Sequence, residues 1–284
     1  MKAMPGTEIV FRGRDVRLNA ERWDAEPPIR GTILLLHGGG QTRHSWDKSA
    51  ARFAAAGWTT YTIDARGHGD SAWAPDGDYG MDALVADLRA IVAQLDVPVV
   101  LVGASMGGMT AMVATGEHPG LAQALVLVDI APRMEPAGIK RIQDFMKSHL
   151  GGFATLEEVA EAIHGYTPNR KRSTNLEGLK KNVRLHDDGR WYWHWDPAFM
   201  AGGDEPDRHV NIARLEAAAR GVHVPTLLVR GKQSDVVSEA GAAELLKLIP
   251  GSRVDEAPAG HMVAGDDNDV FARQVLGFLD DLLT

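Results

Sequence analysis

Apolar and polar positions along the chain alternate between two rhythms. Short runs of apolar, β-branched and aromatic residues at 32–36, 58–63, 97–102, 124–129, 225–230 and 252–257 read as strands. Between them, apolar residues recur every three or four positions over 46–56, 82–95, 106–117 and 238–248, and a last helix covers 269–283. An opening pair of segments, 8–11 and 14–23, turns at Gly13 and reads as two antiparallel strands. Pro98 and Pro225 stand near strand starts, where a missing N–H costs little. This order predicts an α/β protein: a mostly parallel eight-stranded sheet with helices on both faces.

One stretch breaks the rhythm. The distance between the strands at 124–129 and 225–230 is too long for a loop. Helical patterns near 136–149, 155–164, 175–185 and 209–220 make it a helical cap inserted over the carboxyl edge of the sheet, where open α/β sheets bind ligands. The expected division is a core of 1–131 and 216–284 with a cap of 132–215. Within the cap, Trp191, Trp193 and Trp195 alternate with Tyr192, His194 and Asp196, so an extended backbone places the three indoles on one face. They either pin the cap to the body or line an apolar pocket. The basic run Arg170, Lys171, Arg172 reads as solvated surface.

Composition narrows the function classes. A chain of 284 residues, 44% apolar, can bury a large core. Its net charge of −8 argues against nucleic acid or an anionic membrane as partner. Without cysteine there is neither a disulfide framework nor a thiol nucleophile. The amino-terminal residues lack a signal-peptide pattern, and no apolar run is long enough to span a bilayer. The expectation is a cytoplasmic protein with a small-molecule partner; oligomeric state stays open. No H-E-x-x-H or other ligand spacing occurs, so neither metal nor cofactor is expected.

The chemistry is carried by Gly103-Ala104-Ser105-Met106-Gly107, which lies between a strand and a helix. That context is a nucleophile elbow: a serine on a strained turn, flanked two residues away by glycines because strand and helix approach closely. A serine hydroxyl holds its proton at neutral pH and needs a base, and the base needs an orienting acid. His261, in a loop after the strand 252–257, fits the chain order that places the base last. After the strand 32–36, His37-Gly38-Gly39-Gly40 can aim backbone N–H groups at a developing oxyanion. His37 then braces that turn, and His68, in the turn from Asp64 to Ser71, reads as structural.

Together these pieces resemble the α/β-hydrolase superfamily in its cap-bearing, serine-dependent branch. The resemblance rests on H-G-G-G at 37–40, D-x-R-G-x-G-x-S at 64–71, G-x-S-x-G at 103–107, an aspartate after a late strand at 235, and G-H at 260–261. It covers nearly the whole chain and is weakest over 132–215. It implies Ser105, His261 and Asp235 as the catalytic triad, with Asp129 as the competing acid. It implies the N–H groups of Met106 and Gly39 as the oxyanion hole, with Gly38 or Gly40 open as the second donor. Asp64 is expected to organise its loop by pairing with Arg66. The implied activity is hydrolysis of a carboxylic ester or related acyl compound through an acyl-enzyme. A C–C bond hydrolase, lactonase, amidase, thioesterase or perhydrolase would use the same groups. A slow-turnover ligand receptor and a lyase or synthase are the other classes. Serine at 105 excludes the aspartate-nucleophile dehalogenases and epoxide hydrolases of this scaffold.

Overall fold

The computed structural model describes residues 6–167, 174–200, 211–263 and 269–283. In chain order the elements are β1 (Thr7–Arg12), β2 (Arg17–Trp23), β3 (Gly31–Leu36), α1 (Asp47–Ala55), β4 (Trp58–Ile63), α2 (Met81–Leu95), β5 (Val99–Ala104), α3 (Met106–Glu117) and β6 (Ala124–Val128). There follow α4 (Pro136–Lys147), α5 (Leu156–Tyr166), α6 (Leu176–Leu179), β7 (Val183–Leu185), β8 (Trp191–Trp193) and α7 (Ile212–Gly221). The chain closes with β9 (Thr226–Gly231), α8 (Glu239–Leu248), β10 (Arg253–Ala257) and α9 (Asp269–Leu283).

Eight strands form one sheet in the order β1-β2-β4-β3-β5-β6-β9-β10. The pairs β1–β2 and β2–β4 are antiparallel, and every other pair is parallel. Alternation along each strand divides the apolar residues between two cores. Ile33, Leu35, Val100 and Val102 face one way, against Trp46, Phe53, Phe271 and Val275 of α1, α9 and the turn before α1. Leu34, Leu101, Leu125 and Leu228 face the other way, toward α2, α3, α7 and α8. This is the expected fold class, an α/β-hydrolase fold. No described helix is long and apolar enough to cross a membrane.

Several boundaries differ from expectation for local reasons. The central strand starts at Val99 rather than 97, because Val97 is exposed and Pro98 has no N–H to give. It runs on through Gly103 and Ala104, which pair with Leu127 and Val128. The helical pattern at 175–185 splits. Asn175 caps the short α6 by accepting from Gly178 N–H, and the chain then extends into β7, antiparallel to β8. Pairing with an aromatic strand outweighs local helix preference here. The insertion is thus helical with a two-stranded ribbon. A boundary at 215 falls inside α7, which packs on α3 with the core layer. The basic run 170–172 lies outside the described residues.

Candidate active site

Ser105 joins β5 to α3 at φ +46° and ψ −114°, a backbone state costing of order 1–3 kcal/mol for a residue with a side chain. The sheet makes the strain obligatory. A Cβ on Gly103 would strike the backbone of Gly107, and a Cβ on Gly107 would strike the carbonyl of Leu36 at the end of β3. The turn is pinned by Ser105 N–H to Val128 O (3.3 Å) and Gly107 N–H to His37 O (3.1 Å). Ser105 therefore stands at the carboxyl edge of the sheet, in the wall of a cavity of about 300 Å³.

His261 lines the same cavity from the loop after β10. Its ring Nδ1–H donates to Asp129 Oδ2 at 2.7 Å. The carboxylate that meets His261 is thus Asp129, the competing candidate, and not Asp235. Asp129 follows β6, next to the nucleophile strand, and is fully buried at φ +49°. Its carboxylate also accepts from Gly231 N–H (2.9 Å) and Ser234 O–H (2.5 Å). Asp235 points outward. Its carboxylate is 41% exposed and takes a forked pair from Arg141 of α4, at 2.8 and 3.0 Å. The turn at Ser234 decides between them: its hydroxyl donates to Asp129 and accepts from Val236 and Val237 N–H, which leaves the next side chain directed away. Ser105 and His261 share the cavity without a direct hydrogen bond between them, as is common before substrate draws the groups together.

The glycine turn after β3 holds its own N–H groups apart. Gly38 N–H donates to Gln41 Oε1 (2.9 Å) and Gly40 N–H donates to His68 Nε2 (3.2 Å). Among the described residues, the N–H groups of Gly39 and Met106 have no partner. Gly39 is therefore the available donor in the turn, and Met106 opens α3, where the N–H is unpaired by construction. Of the three tryptophans in the insertion, Trp193 and Trp195 stack at 4.9 Å and 12° and line the cavity. Trp191 does not line it; its backbone bridges to Phe153 and Lys180 lies over its ring.

Three buried imidazoles lie beneath this turn. His37 donates from Nδ1 to Gly38 O (2.8 Å) and accepts at Nε2 from Ala65 N–H (3.0 Å), so it braces the loop as expected. His68 sits 5.2 Å from it, ring to ring, and His194 lies 5.8 Å beyond. His194 has no local motif. Its only signal in the sequence is parity: alternation puts it on the face opposite the indoles, toward the body. Burial pushes His37 down to about 4, and burial followed by the neighbouring imidazoles holds His194 well below its usual value. A histidine of depressed pKa favours the fold fully above its unfolded pKa near 6.5 and loses that contribution as the pH falls toward the folded pKa. We expect unfolding free energy to drop between about pH 6.5 and 4, by about 3 kcal/mol from His37 alone. Urea melts of wild type and His37→Gln across that window check it; the variant should show the shallower slope.

Asp64 is also corrected. It does not pair with Arg66. It holds Arg43, whose backbone N–H donates at 2.6 Å and whose guanidinium binds the same carboxylate. Arg66 is clasped by Asp87 (2.6 Å) and Asp15 (2.7 Å). One group of described residues, Glu21, His44 and Asp47, brings metal-type ligand atoms within 4.8 Å. Its carboxylates are already engaged by Arg43 at 3.4 Å and Lys181 at 2.9 Å.

Residues 31–267 match the family model described as alpha/beta hydrolase fold. The chain belongs to that family. It is a hydrolase. It is 29% identical to an esterase of Mycobacterium tuberculosis, over 98% of this chain and 90% of the relative. It is 30% identical to an sn-1-specific diacylglycerol lipase of Mus musculus, over 87% of this chain and 80% of that protein. Among solved structures, an alpha/beta hydrolase of Novosphingobium aromaticivorans superposes with a TM-score of 0.80 at 26% identity, covering 96% of this chain and 97% of the other. The matched region contains the glycine turn, Ser105, Asp129 and His261, and it spans the insertion between β6 and β9.

Proposed function

We propose that this hydrolase cleaves a carboxylic ester by a Ser105–His261–Asp129 triad through an acyl-enzyme. The observation that carries the reading is the buried His261–Asp129 hydrogen bond opening on the cavity that holds a strained serine. The ester is favoured by the relatives, an esterase and a lipase.

Asp129 holds the imidazole with Nδ1 protonated, which leaves Nε2 as the basic nitrogen. Ser105 Oγ attacks the acyl carbonyl as Nε2 takes its proton. The carbonyl oxygen becomes an oxyanion within reach of the Gly39 and Met106 N–H groups, each such donor being worth about 3–4 kcal/mol in the transition state. The tetrahedral adduct collapses, the C–O bond to the alcohol breaks, and the imidazolium returns the proton to the leaving oxygen. Water, deprotonated by His261, then attacks the acyl-enzyme, and the carboxylic acid leaves with Ser105 restored.

Steady-state and stopped-flow hydrolysis of p-nitrophenyl esters of two to ten carbons, beside matched lactones and anilides, tests the reading. An initial burst equal to the enzyme concentration, with esters ahead of anilides, is expected when deacylation is slow. No ester turnover by folded protein, or turnover that survives in Ser105→Ala, would contradict it.

The cap sets the choice of acyl group. Trp193→Ala and Trp195→Ala should reorder kcat/KM across the ester series by about 10–200-fold or more, because they open the apolar wall. Trp191→Ala should leave the ranking as in wild type.

A further inference from the structure

We propose that His194, supplied by the cap, is a positioning residue for the oxyanion turn, and that together with His68 it ties the geometry of the Gly39 donor to docking of the cap base on the body. The proposal rests on the reading of Gly39 as an oxyanion donor given above.

Three consecutive glycines have wide backbone freedom, so a preorganised donor among them needs outside anchors. Each peptide unit of the turn has one. The 37–38 unit is held through Gly38 N–H by Gln41 Oε1. The 38–39 unit, which carries the Gly39 N–H itself, is held through Gly38 O by His37 Nδ1–H and by Gln41 N–H (3.1 Å). The 39–40 unit is held through Gly40 N–H by His68 Nε2 (3.2 Å). The 40–41 unit is held through Gly40 O by His194 Nε2–H (3.3 Å). Gly40 itself sits at φ +71°, a conformation that favours glycine. Of these anchors, His194 alone comes from the cap.

The anchors demand one tautomer each. His68 Nε2 must keep a lone pair for Gly40 N–H, while its Nδ1–H donates to Arg66 O (3.1 Å). His194 Nδ1 must keep a lone pair for Gly69 N–H (2.8 Å), which leaves its proton on Nε2, facing Gly40 O. Both rings are fully buried, and the depressed pKa of His194 agrees with a neutral imidazole. The cap segment beside it is fastened to the same body loop. Asp196 N–H donates to Gly67 O (2.9 Å), and the Tyr79 hydroxyl donates to the Asp196 carboxylate. His194 thus touches the glycine turn and the 64–71 loop at once.

An asparagine and a glutamine at 194 separate positioning from packing. Asparagine can set its carbonyl near the place of Nδ1 and keep Gly69, but it has no donor for Gly40 O. Glutamine reaches the place of Nε2 with an N–H for Gly40 O. For a p-nitrophenyl ester, His194→Asn is expected to lower kcat roughly 10–100-fold with KM within about threefold. His194→Gln should rescue all but about fivefold of that loss. His68 gives the same test from the other side of Gly40, since His68→Gln can accept from Gly40 N–H and His68→Asn cannot. Thermal melts identify which pair is folded, and that pair is read. Equal loss of kcat in Asn and Gln variants, or a loss confined to KM, would overturn the proposal. Fluorophosphonate labelling of wild-type Ser105 tells the two readings apart. If wild type is not labelled, the triad reading fails; if it is labelled and the Asn and Gln variants match, only the role of His194 fails.

Discussion

Asp129→Asn should lower kcat for ester hydrolysis by about 10⁴-fold, with the fold retained and KM little changed. The amide keeps the shape of the side chain but presents an N–H or a neutral oxygen to His261. It no longer selects the tautomer with Nδ1 protonated, and it no longer stabilises the imidazolium that forms as Ser105 attacks. Gly231 N–H, which donates to Oδ1, would tend to keep the carbonyl of the amide there and leave its NH₂ in the place of Oδ2, facing Nδ1. Asp235→Asn should leave kcat within about threefold, because its carboxylate serves a half-exposed pair with Arg141, and such pairs contribute about 0–1 kcal/mol. Parallel kcat determinations on both variants, with melting curves, check the pair. An inactive Asp235→Asn beside an active Asp129→Asn would restore the other assignment.

Ser105→Ala should be the most damaging single change, lowering kcat by about 10⁶-fold and leaving only the catalysis that the oxyanion donors and binding provide. Removing the hydroxyl disturbs the fold little, since Ser105 makes its pinning bonds through the backbone. A double variant, Ser105→Ala with Asp129→Asn, should be no slower than Ser105→Ala alone, because the two act as one unit. Multiplicative losses would mean that Asp129 works on some other step.

Much of this site is legible from residues near each other in the chain. The elbow is one case: both glycines are required by the approach of α3 to β5 and β3, and the apolar strand before Ser105 announces the turn. His261 is legible from its order after the last strand. The acid is not. Asp129 and Asp235 each follow a strand, and the chain alone does not say which carboxylate turns inward. That depends on β6 and β9 lying side by side and on the Ser234 hydroxyl bending the later turn toward Asp129. The pairing of Asp64 fails for the same reason. Arg66 is two residues away in sequence, whereas Arg43 reaches it from the turn before α1. In the insertion, the ribbon of β7 and β8 is hidden from the sequence because strand pairing across five intervening residues outweighs local helical spacing. The role of His194 is tertiary throughout, its ring partners being Gly40 and Gly69.

The most direct measurement is site-specific labelling by a fluorophosphonate probe, read by peptide mass spectrometry on wild type, Ser105→Ala, Asp129→Asn and Asp235→Asn. One adduct, on the peptide containing Ser105, is expected in wild type and at a similar rate in Asp235→Asn. Labelling should be absent in Ser105→Ala and slowed by orders of magnitude in Asp129→Asn. An adduct on another residue, no adduct on folded wild type, or an undiminished rate in Asp129→Asn would contradict the triad of Ser105, His261 and Asp129.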